Sequence, residues 1–309
     1  MEGESTHELP LKALATYIII AFGVAYLLDV PLIVGVIPLK FFGIEAIIRM
    51  WAPTLGAVIA LLACGAPLKE GLKSLGVRLG RLRYIPLGLA MPYIIFTLGI
   101  GVCYVMGYAP TNPIVSLLNN PQVPQQLKDM ILKAGPEVFL FLQLVNTVLA
   151  GLTINAAVAL GEEIGWRGLM YKVLYPRYGL LASTLVIGVA WGLWHAPLII
   201  FLGYSLPHHR DALGLTMYCA VTTSWTLILL LLRRESGSVL PAAVMHGTIN
   251  ALAGLMVLTY PNADELYVLP VGVASLIASL IVGVVLAMLL SRSKGVSVEK
   301  VTQEGLPAS

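Results

Sequence analysis

Gly161-Glu162-Glu163-Ile164-Gly165-Trp166-Arg167 closes an apolar run that begins near residue 137. It sets two adjacent carboxylates and an arginine in a chain with only 11% charged residues. A carboxylate at or inside a membrane costs roughly 3 kcal/mol or more, so the placement needs a reason. A polar helix end marking the interface would be reason enough for this stretch alone. Two later stretches argue for more: Trp191-Gly192-Leu193-Trp194-His195 and His246-Gly247-Thr248-Ile249-Asn250.

The surroundings decide the fold class. Of 309 residues, 58% are hydrophobic, and the mean hydropathy is +0.87. Several apolar runs reach the roughly 20 residues that a helix needs to cross a bilayer. Backbone groups in lipid must be paired internally, which selects helices. The chain therefore reads as an all-α polytopic membrane protein with about eight transmembrane helices. The spans fall near 12–36, 43–65, 84–107, 137–161, 179–203, 212–232, 239–259 and 267–290. They form one membrane domain, 12–290, after a short N-terminal segment, 1–11. A polar, flexible tail follows over 291–309. The acidic N-terminus (Glu2, Glu4, Glu8) argues against a cleavable signal, and the first run is long enough to be an anchor.

Net charge is +3, which makes nucleic acid no expected partner. The location of the charge says more. The 66–83 loop carries Lys69, Lys73, Arg78, Arg81 and Arg83 and should face the cytoplasm. Eight spans then put 14 Lys and Arg on that side and 5 on the other, with both termini cytoplasmic. Arg167 and Arg233 count among the 14, and Arg49 among the 5. Cys64, Cys103 and Cys219 lie in or beside apolar runs without a C-x-x-C and read as inert thiols. Glu45 and Arg49, four apart, read as an ion pair along one helix face. Asp29 reads as a polar anchor, His208 and His209 as solvated. Asn146, Asn155, Thr222, Thr223 and Ser224 read as interhelical hydrogen-bonders, and Gln125–Ala134 as a short interfacial helix.

Helical spacing sorts the polar stretch. Glu163 and Arg167 are four apart and share a face, while Glu162 is turned away. Glu163 is thus placed to pair with Arg167, and Glu162 is left to exchange a proton. His246 and Asn250 are also four apart. Polar residues so placed act either as interhelical glue or as a site. Glu and His can take a proton from water, while His and Asn can donate to an oxygen that becomes negative. That division of labour suits amide hydrolysis. Helix counting alone places His195 deeper than Glu162, which requires a tilt, a kink or a helix that dips back.

E-E-x-x-x-R at Glu162–Arg167, an aromatic-x-x-x-H at Trp191–His195 and H-x-x-x-N at His246–Asn250 occur in that order. This triple resembles the CPBP family, which unites the type II CAAX prenyl endopeptidases with bacterial and archaeal bacteriocin-processing and abortive-infection proteins. The likeness covers about 137–259. It implies an eight-helix intramembrane endopeptidase, a hydrolase with a chamber opening towards the cytoplasm, in the cell membrane of a prokaryote. It also implies that Glu162 and His195 activate water, that His246 and Asn250 form an oxyanion hole, and that Glu163 and Arg167 order the site. Trp191 stands where the family usually has Phe and should take the same packing role. The implied partners are membrane lipid and a peptide or protein substrate, prenylated in the eukaryotic members. The residues alone leave zinc open, but there is no H-E-x-x-H and His246/Asn250 is a poor ligand pair, which favours a mechanism without a metal cofactor. Two rival readings remain from the sequence: a non-catalytic scaffold or bacteriocin-immunity-type partner, and a small transporter.

Overall fold

A computed structural model describes the backbone of residues 9–304 and the side chains of 9–292. The helices are α1 (Leu11–Ile33), α2 (Phe42–Arg49), α3 (Ala52–Ala63), α4 (Leu68–Ser74), α5 (Ile85–Val105), α6 (Pro113–Asn119), α7 (Gln125–Ala134), α8 (Pro136–Leu152), α9 (Ile154–Glu163), α10 (Tyr171–Trp194), α11 (Ala212–Ser236), α12 (Leu240–Thr259) and α13 (Val273–Glu304). Among the described residues, seven helical stretches are long and apolar enough to cross a membrane. An eighth exists if α7 and α8, bent by 102° at Gly135, count as one span. The chain is an all-α polytopic integral membrane protein.

Proline opens several of these helices, at Pro53, Pro86, Pro113, Pro136 and Pro241, where a missing N–H costs nothing. Glycine lets the helices approach closely. A Cβ on Gly247 would stand 2.5 Å from the Ala156 backbone nitrogen, so α12 and α9 cross nearly backbone to backbone. Such small-residue crossings substitute for the hydrophobic drive that lipid removes. α12 is the most enclosed of the long helices and packs on α5, α8, α9 and α11.

The central spans differ from the sequence reading. The expected break near 161 falls instead at Thr153 (φ −123°, ψ −97°). Ile154–Trp194 is then one apolar helical stretch. It contains a π-helix at Ile164–Met170 and a break at Gly179 (φ 73°). Glu162 to Arg167 therefore lie inside a helix, not in a membrane-edge loop. The break at Gly179 has a consequence. A straight helix would separate Glu162 from Trp191 by ~43 Å. Their side chains are hydrogen-bonded at 2.7 Å, so the chain doubles back there. This is the kink that the depth of His195 required.

One face of the bundle gathers Leu9, the 66–83 loop and the α11–α12 junction. Arg177 Nη2 donates to Leu9 O at 3.1 Å, Arg81 N to Ser236 O at 2.8 Å, and Val239 N to Gly76 O at 3.0 Å. Two of the basic residues counted for that face are not at its surface: Arg167 is fully buried and Arg233 nearly so. The opposite face joins the 203–211 and 260–272 loops. α7 forms as expected. α13 runs on to Glu304, past residue 290, where the sequence reading begins a tail. Residues 1–8 and 305–309, named in the expected terminal segments, lie outside the described residues.

Candidate active site

The π-helix sets the local register. Trp166 follows Glu162 by four residues and Arg167 follows Glu163 by four. Both pairs are bonded: Trp166 Nε1 donates to Glu162 Oε2 at 3.2 Å, and Arg167 Nη1 to Glu163 Oε1 at 2.9 Å. π-helical turns recur at functional sites because they re-aim side chains. Arg167 is held further by Thr226 Oγ1 at 2.8 Å and by the Trp191 ring, 4.3 Å from its guanidinium carbon. A buried arginine with these partners is compensated, as it must be in a low dielectric.

Glu162 points away from that pair, as the spacing requires. Its Oε2 also accepts from Trp191 Nε1 at 2.7 Å. Trp191 therefore does more than pack: it donates a hydrogen bond that phenylalanine could not.

Glu163 Oε1 takes a second partner, His246 Nδ1, at 2.9 Å. His195 Nδ1 lies 2.9 Å from Trp191 O. A carbonyl can only accept, so this nitrogen carries the proton. The neutral ring then presents a bare Nε2. The His195 ring lies against Tyr204 (5.9 Å, 8°) and Tyr218 (5.0 Å). Glu162, His195, His246 and Asn250 all line one cavity of about 60 Å³, with Trp191, Arg49, Tyr204 and Tyr218 among its other walls. A single ordered water needs only ~10–15 Å³. Glu162, His195 and His246 are buried, while Asn250 is exposed.

A family model described as Rce1-like, type II CAAX prenyl endopeptidase, matches residues 144–252. Over this stretch the chain is similar to the Rce1-like type II CAAX prenyl endopeptidases. The "CAAX prenyl protease 2" of Methanococcus maripaludis is similar to the chain, 27% identical over 124 residues. That covers 39% of this chain and 44% of the relative, so the match spans less than half of the curated relative's length.

The Rce1-like stretch contains every site residue expected from the sequence, from Glu162 to Asn250, and the structure brings all of them together. It does not contain the whole site. Arg49, on α2, lines the cavity and pairs with Asp29 of α1, Nε to Oδ1 at 2.7 Å. The expected Glu45–Arg49 pair is thus replaced by a bond between helices, and Asp29, fully buried, is no surface anchor. An ionisable residue inside a span is a site candidate by default, and that was the signal in Asp29. Tyr204 and Tyr218 carried no such signal, since tyrosine is common at membrane edges.

Among the described residues, no group of three or more His, Cys, Asp or Glu has a metal-holding arrangement. Glu163 is already engaged by Arg167 and His246. Two expectations away from the cavity are corrected. His208 and His209 are not simply solvated: they pair with Glu265 (3.0 Å) and Asp264 (2.9 Å). Of the expected interhelical bonders, Asn155 reaches Gly247 O and Thr222 reaches Gly188 O. Thr223 and Ser224 bond carbonyls of their own helix, and Asn146 is exposed, its neighbour Thr147 meeting Tyr93 instead.

Proposed function

We propose that this protein is an intramembrane endopeptidase. Its substrate is a membrane-associated peptide or protein end of the prenylated CAAX class, cut near its C-terminus. The observation that carries the reading is the convergence of Glu162, His195, His246 and Asn250, from three helices, on one small cavity. The Rce1-like match supports the reaction class.

Both indole hydrogen bonds to Glu162 fall on Oε2, which leaves Oε1 for a water molecule. The water gives a proton to Glu162 or to Nε2 of His195, and its oxygen bonds to the scissile carbonyl carbon. The developing oxyanion takes hydrogen bonds from Asn250 and from Nε2 of a charged His246, a charge that Glu163 supports across Nδ1. The C–N bond then breaks, and the proton held by the Glu162–His195 pair passes to the leaving amine. Each oxyanion donor contributes about 3–4 kcal/mol. No step uses a metal: the carboxylates and imidazoles have partners suited to proton transfer.

The least buried walls of the cavity support a membrane-held substrate. They include Asn250 on α12 and, half-buried, Phe42, Ala46 and Met50 on and just beyond α2. They lie between apolar helices, where a lipidated chain would approach from the bilayer. In this reading the 66–83 loop and both termini are cytoplasmic, as the basic residues favour, and the membrane is that of a prokaryotic cell.

The test is cleavage of a farnesylated CAAX peptide by purified protein in detergent, with and without a chelator. Cleavage near the C-terminus, unaffected by the chelator, is expected. Loss of cleavage on chelation, restored by zinc, would overturn the metal-free mechanism. Absence of cleavage of prenylated and unprenylated peptides alike would overturn the peptidase reading.

A further inference from the structure

His195 is the residue that closes α10, so the last turn of that helix sets where its ring lies. Terminal helical carbonyls need donors from elsewhere. Pro197 has no N–H to return to Leu193 O, four residues back. The Tyr26 hydroxyl donates to that oxygen at 2.8 Å. The next carbonyl, Trp194 O, accepts from Arg49 Nη2. The guanidinium carbon of Arg49 lies 3.6 Å from the Trp194 ring centroid. The Trp194 indole in turn donates to Ala21 O at 3.0 Å.

Asp29 fixes the guanidinium, receiving Nε at 2.7 Å and Nη2 at 3.2 Å. Both side chains are buried. A buried ion pair is weak evidence for stability, because apolar residues of like volume often do as well. Inside a span, such a pair calls for a function. Tyr26 and Asp29 lie on α1 and Arg49 on α2. All three are outside the Rce1-like stretch of 144–252.

We propose that the α1–α2 hairpin is a positioning clamp for His195. Tyr26 and the Asp29–Arg49 pair hold the two carbonyls that precede His195 and so fix the imidazole against Glu162. The clamp rests on the reading of His195 as part of the water-activating pair. It makes these three residues positioning residues, acting through the end of α10. Because Arg49 also lines the cavity, the rival role is direct binding of a substrate carboxylate, and the experiment separates the two.

The full-length protein is assayed on a farnesylated CAAX peptide, as wild type and as Tyr26→Phe, Asp29→Asn, Arg49→Met and Arg49→Lys. The clamp predicts that kcat falls about 10–100-fold while KM stays within about twofold, since small misplacements act on the chemical step. Arg49→Lys should recover part of the Arg49→Met loss. Lysine keeps the charge but cannot span Asp29 and Trp194 O together. In a His195→Gln background, Tyr26→Phe and Asp29→Asn should cause no further loss, as for residues that act as a unit. A raised KM with unchanged kcat, abolished for a C-terminally amidated peptide, would assign Arg49 to the substrate and overturn the clamp. Lower thermal stability with unchanged kcat per folded molecule would reduce the three to structural roles and overturn it too. Tyr26→Phe removes one hydroxyl and keeps the ring, so it serves if the Asp29 and Arg49 variants fail to fold. Full activity in His195→Gln would instead overturn the role given to His195.

Discussion

Glu163 and His246, 83 positions apart in sequence, are joined by a 2.9 Å hydrogen bond between Oε1 and Nδ1. The same carboxylate oxygen holds Arg167. One acid thus aims an imidazole into the cavity while compensating a buried guanidinium. Glu163→Gln should therefore cost both stability and rate. Kinetics should show kcat lower by about 10²-fold or more. The melting temperature should fall too, because breaking a buried pair costs about 3–5 kcal/mol. Unchanged kcat in the folded variant would separate His246 from the chemistry.

Asn250 offers the complementary case. It is exposed, so Asn250→Ala should leave stability within about 0.5 kcal/mol. Its kcat should drop about 10²–10³-fold if it serves the oxyanion. A change confined to KM would make it a substrate contact.

Trp191→Phe removes one donor from Glu162 and keeps a ring in place. A hydrogen bond to a charged acceptor contributes about 1.5–3 kcal/mol, so activity should fall about 10–100-fold and not vanish. Steady-state kinetics with wild-type stability would show this. Wild-type activity would return Trp191 to a packing role alone.

Gly247→Ala tests the crossing of α9 and α12. The added methyl meets the backbone of Asn155 and Ala156, which cannot yield as a side chain would. Overpacking costs about 1–3 kcal/mol. It should displace Glu162 and Glu163 relative to His246, so a lower melting temperature should come with lost activity. A variant with wild-type stability and activity would show that the crossing has slack.

The 203–211 and 260–272 loops give a pH dependence. Burial pushes the Glu265 carboxyl up, but the hydrogen bonds it accepts, from the His208 backbone N–H and ring among others, outweigh this and hold it below the ordinary value. A lowered folded value means stability that is present above the unfolded value of about 4.3 and lost as the pH falls through the folded one. Thermal melts of wild type and Glu265→Gln should differ at neutral pH and converge in acid. A difference that persists at the lowest pH would place its origin elsewhere.

Much of the site was legible because helical spacing is local. The Glu163–Arg167 pair, the divergence of Glu162 and the shared face of His246 and Asn250 all follow from residues four apart on one helix. What spacing cannot give is which helix lies beside which. Arg49 has Glu45 four residues before it, yet it bonds Asp29 on another helix. Span boundaries failed for a related reason. The apolar run through 137–161 is continuous in composition, and only the backbone at Thr153 and Gly179 shows where it turns. Trp191 was read as packing because a ring predicts burial, not the direction of an indole N–H.

The most direct test of the central claim is Glu162→Ala, purified in its folded form and given a farnesylated CAAX peptide. The account predicts that cleavage falls to background while the melting temperature and detergent elution profile match wild type. Cleavage at the wild-type rate by that folded variant would contradict it.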